Sequence, residues 1–223
     1  MSVNGALEQQ SASVAEALSA RVAGQGCETD SYLRHLCDDQ GPRLGFDLAD
    51  AVHLLCSLHG HFPGLIAIAE SRSEDPFVRD WLSGACDSFE RERAFLLRLT
   101  AAVGPIPSTP GAAETESSLA AARHALETLA RSERSGCALG AACALVGDWL
   151  PIRRMLDRAA ARSGLDLPGF SLSDDVAVDD VVGHVGANPA AARALAFGSE
   201  QLLLQHRGLF ALLEARSESR GDV

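Results

Sequence analysis

Four side chains carry the chemistry this chain is expected to bury: His59, Glu92, Asp148 and His206. Helical residues step about 100° around the axis, so each polar group can be placed against its helix's apolar stripe. His59 falls on the stripe of Leu48, Ala51, Val52, Leu55 and Leu58, at a helix end before Gly60. Glu92 stands among Phe77, Trp81, Ala85, Phe89, Phe95, Leu96 and Leu99, while Glu90 points away. Asp148 shares a face with Cys137, Ala141, Ala144 and Met155, and His206 goes with Leu195, Ser199, Leu202, Leu203 and Phe210. Asp50 and His53, three positions apart and opposite their stripe, read as a solvated pair, and His124 reads as exposed. His61, beyond the helix break, has no phase to read.

Two carboxylates and two imidazoles converging inside a helical bundle are the ingredients of a metal site, with iron or manganese as the ions to consider. The plainer expectation is a set of buried pairs that hold helix register, for example Asp148 with an Arg or His. A small-ligand pocket is the third possibility. Against the metal, no E-x-x-H occurs, and carboxylate-bridged di-iron bundles normally carry two. H-E-x-x-H, G-x-S-x-G, G-x-G-x-x-G and Walker patterns are also missing. All 19 basic residues are Arg, so neither a Schiff-base lysine nor a P-loop lysine is possible.

A net charge of −11 with no basic patch argues against a nucleic-acid partner. No uncharged apolar run reaches the roughly 18 residues of a membrane span; the closest, GCALGAACALVG, ends at Asp148. The opening MSVNGALEQQ has neither the basic nor the apolar region of a signal peptide. Six cysteines (27, 37, 56, 86, 137 and 143) form no C-x-x-C pair and read as reduced core residues in a cytoplasmic protein.

The elements that must position these groups are helices nearly throughout. Apolar spacing predicts helices at 7–23, 30–38, 47–59, 63–72 and 76–103. Three prolines in GPIPSTPG, residues 104–111, break the pattern, and Thr109-Pro110 reads as the cap and first turn of a helix reaching residue 134. A helix at 136–163 is apolar on every side of its first half and should be central, with Gly136, Gly140, Ala144 and Gly147 permitting close approach and Pro151 imposing a kink. Ser173 is expected to cap a helix carrying Val178, Val181, Val182 and Val185, and Asn188-Pro189 to open a last one ending near residue 216.

The layout resembles the ferritin-like and haem-oxygenase-like bundles, and GAACALVGDW is similar to the glycine-bearing distal helix of haem oxygenases, without assigning a haem ligand. The segment from GPIPSTPG through GCALGAACALVGDWLPIRRMLDRA resembles an uncharacterised family of alphaproteobacterial helical proteins over roughly residues 45–165. That resemblance implies a helical fold and a bacterial cytoplasmic setting, and no activity.

The sequence thus predicts an all-α protein: an antiparallel bundle of four long helices wrapped by shorter ones, in a single domain. Residues 1–44 should be peripheral, 45–216 the core and 217–223 a frayed tail. Its expected role is non-enzymatic, binding a protein partner or small ligand; the alternative is a metal-dependent oxidoreductase of ferritin-like or haem-oxygenase-like type, and a third reading is a mainly structural homodimer packed through small-residue faces.

Overall fold

The computed structural model describes residues 3–170, 172 and 178–221. Among them lie α1 (Val3–Gln25), a 3-10 turn (Cys27–Thr29), α2 (Ser31–Asp38), α3 (Leu44–His59) and α4 (Leu65–Arg72). There follow α5 (Pro76–Ala102), α6 (Ala112–Ala130), α7 (Cys137–Ser163), α8 (Val178–Gly186) and α9 (Pro189–Gly221). The described residues form an all-α protein, and none of its helices is long and apolar enough to cross a membrane.

Helix starts follow from local chemistry. Asp30 accepts the Leu33 N–H at 2.8 Å, Asp75 those of Phe77 and Val78 at 2.9 and 3.3 Å, and Asn188 those of Ala190 and Ala191 at 2.8 and 3.4 Å. Each satisfies donors that the first turn of a helix leaves free. At α6 the start differs from expectation: Thr109-Pro110 lies outside the helix, which begins after Gly111 in the left-handed conformation at φ 75°. Ser173 lies outside the described residues.

The core is one apolar cluster centred on α7, whose Leu145, Trp149, Ile152, Met155 and Leu156 are sealed from solvent. Its closest neighbour is α9, and two glycines explain the approach. A Cβ at Gly140 would fall on the Leu195 carbonyl oxygen, and one at Gly198 on that of Cys137. Gly147, expected to serve the same purpose, faces open surface near Val22.

Both ends of the chain depart from expectation. The N-terminal 44 residues are not merely peripheral, because Cys27, Leu33 and Leu36 are fully buried in the core. The tail is not frayed through residue 221, because α9 continues to Gly221 and Arg220 reaches back to Asp47, Asp50 and Thr109. Phe77, placed on the buried stripe of α5, is instead 49% exposed, one turn beyond the core, with its ring against His184.

Candidate metal centre

Asp148 brings a carboxylate into the apolar middle of α7, and burying it unpartnered would cost several kcal/mol. Its partners come from two other elements. His206 on α9 faces Oδ2 with Nδ1 at 2.7 Å. Cys27, first residue of the 3-10 turn, donates its backbone N–H to Oδ1 at 2.6 Å and its thiol to Oδ2 at 3.0 Å. Gly26 permits that approach, since a Cβ there would strike Oδ1. The Cys27 sulfur also lies 3.8 Å from His206 Nδ1. Burial first, and the neighbouring Asp148 second, push the Cys27 thiol well above its usual range.

The arrangement continues on the far side of the His206 ring. His206 Nε2 and His59 Nε2 are 3.0 Å apart, within hydrogen-bond distance, with the rings nearly perpendicular. His59, at the end of α3, also meets the edge of Trp149. Burial, and then the neighbouring His206, hold the His59 imidazole well below its usual range. On its outer side is a small cavity of about 40 Å³ whose walls include His61, Arg123 and Glu127.

Of the four residues singled out in the sequence, the structure joins Asp148, His206 and His59 in one hydrogen-bonded chain. Glu92 is buried too, but belongs to a separate group. Arg153 donates to both its oxygens at 2.8 and 2.9 Å, and Trp149 Nε1–H to Oε2 at 3.2 Å. Trp149 therefore separates the two groups, and the expected four-residue cluster is a three-residue one that Cys27 completes. The sequence marks Cys27 only by its flanking Gly26 and the acids around it, because a three-residue turn has no helical phase.

The Asp50–His53 pair is not solvated. Asp50 is fully buried and takes Arg216 through both oxygens at 2.8 and 2.9 Å, and Arg220 at 2.6 Å. His53, half-buried, donates Nε2–H to the Gly104 carbonyl at 2.8 Å. His61 is exposed, with Nε2 against Arg123, and His124 is exposed.

What remains as chemistry is three different donors: a thiol sulfur, a carboxylate oxygen and an imidazole nitrogen. They come from the 3-10 turn, α7 and α9, lie within 4.8 Å of one another, and belong to buried residues. Residues 22–221 match the family model of DUF6975, described as a family of unknown function. No curated protein and no solved structure matches the chain.

Proposed function

The chain belongs to DUF6975, a family of unknown function, so its own chemistry must carry the reading, and we propose that it is a binding protein for one divalent transition-metal ion. The observation that carries this is the convergence of Cys27 Sγ, Asp148 Oδ2 and His206 Nδ1 from three separate elements. A thiolate and a carboxylate are two negative charges, which a divalent cation balances in a buried site. With a metal on Nδ1, the ring proton of His206 sits on Nε2, where His59 Nε2 accepts it. Asp148 Oδ1 is likewise steadied by the Cys27 N–H. Two of the three donors, His206 and Asp148, thus have a partner that orients them. The cavity beside His59, about 40 Å³, is lined by none of the three donors and is of a size for water rather than an organic substrate.

The test is elemental analysis of protein purified without a chelating tag, then reloading after chelation. About one ion per chain is expected, lost in Asp148→Asn and His206→Gln. Adding metal at 100 times its dissociation constant should stabilise the wild type by about 2.7 kcal/mol. If Asp148 only pairs with His206, Asp148→Asn costs about 3–5 kcal/mol and no ion binds either protein; that result overturns the proposal.

A further inference from the structure

Resting on the metal-binding reading, we infer that Cys27 makes the centre selective for a zinc-class ion, four-coordinate and thiol-accepting, over iron(II) and manganese(II). The donor set argues first. Thiolate ligands favour zinc-class ions, whereas manganese prefers carboxylates, carbonyls and water. Cys27 is also placed for this role by more than its sulfur. The same residue fixes Asp148 Oδ1 with its backbone N–H at 2.6 Å and turns its thiol onto Oδ2 at 3.0 Å. Gly26 is the residue that lets the turn sit so close.

Donor number argues second. With Oδ1 engaged by the N–H, Asp148 offers Oδ2 alone, so it binds through one oxygen. His59 stands behind the His206 ring and meets only its Nε2. Glu92 is held by Arg153 and Trp149. Three protein donors and one exogenous ligand, such as water, complete a tetrahedron; an octahedral ion needs three exogenous ligands among residues no more than 1% exposed.

Geometry argues third. Zinc bonds of about 2.0–2.1 Å to N or O and about 2.3 Å to S put tetrahedral donor pairs roughly 3.3–3.6 Å apart. Here O···N is 2.7 Å, S···O 3.0 Å and S···N 3.8 Å. The first two pairs need to open by roughly half an ångström and the third to close by less, for the tetrahedral distances of zinc. On binding, the Cys27 S–H and His206 Nδ1–H bonds break and sulfur–metal and nitrogen–metal bonds form. His206 Nε2 takes a proton from His59 Nε2, His59 Nδ1 takes one from solvent, and the thiol and Nδ1 protons leave to solvent.

The test is cobalt(II) titration of chelator-treated protein, followed by competition with zinc and manganese. Expected are intense visible bands of four-coordinate cobalt and a near-ultraviolet thiolate-to-cobalt band. Zinc should displace the cobalt, and manganese in roughly 100-fold excess should not. Cys27→Ser, which keeps the backbone N–H and nearly the side-chain size, should lose the near-ultraviolet band and at least roughly 100-fold in zinc affinity. Cys143→Ser, at a buried cysteine elsewhere on α7, should keep both. Cobalt binding without the thiolate band, or manganese competing equally in wild type and Cys27→Ser, overturns the selectivity and leaves the metal-binding reading standing. No binding of any of the three ions overturns both.

Discussion

At His59 the physical cause of its state gives a signed pH dependence. The folded protein holds this imidazole well below its usual range, chiefly by burial, whereas the unfolded chain takes up a proton near pH 6.5. Above that pH both states are neutral and folding gains nothing from the shift. Below it the unfolded state binds the extra proton, so stability falls as pH drops toward the folded value. Metal-free wild type should therefore lose stability more steeply between pH 6.5 and 5 than His59→Gln does, by up to about 1.4 kcal/mol per pH unit. Urea midpoints across that range measure it; parallel profiles would mean His59 protonates freely in the folded state. His59 and His206 were legible in the sequence because each lies on an unambiguous apolar stripe. Asp50 was misplaced because α3 is packed against α5, α6, α7 and α9 at once, so the side opposite its main stripe is buried as well. Arg216 and Arg220, which pair with it, lie 166 and 170 positions away, and no local pattern connects them.

Between elements, the placement of His206 against Asp148 depends on how closely α7 and α9 approach. Gly140 and Gly198 set that distance by leaving room for backbone on each side. Gly140→Ala should drive a methyl into the Leu195 carbonyl, force the helices apart and cost about 3 kcal/mol. Gly147→Ala, whose new Cβ would make ordinary contact with Val22 at 3.5 Å, should stabilise by about 0.5–1 kcal/mol through helix propensity. Chemical denaturation of the two variants checks the contrast, and similar effects would refute the close-approach account. The sequence supplied the small residues on α7 but not which of them meets a neighbour. That depends on the matching glycine at position 198, inside a helix whose own pattern says nothing about its partner.

Across the molecule, two buried charged centres share the same pair of helices. On α3, Asp50 and His59 are nine residues apart, about 13 Å at 1.5 Å per residue. On α9, Arg216 pairs with Asp50 and His206 with His59. Residue numbers rise along α9 as they fall along α3, so these two helices run antiparallel, clamped at two levels. The Asp50 level ties four segments together, because Arg216 also donates to Thr115 on α6 and Arg220 to Thr109 in the loop before it. Asp50→Asn keeps the shape but leaves two guanidiniums without their buried counter-charge, and should cost about 3–5 kcal/mol. It should leave the metal stoichiometry of folded protein unchanged, because no hydrogen bond joins the two centres among those described. Combined with Asp148→Asn in metal-free protein, its effect should add to within about 0.5 kcal/mol, as for sites more than about 10 Å apart with no shared partner. Denaturant unfolding of the two single variants and the double variant measures the coupling, and metal analysis of Asp50→Asn measures the separation. Strong non-additivity, or lost metal in folded Asp50→Asn, would mean that the two levels act as one unit through α3 and α9.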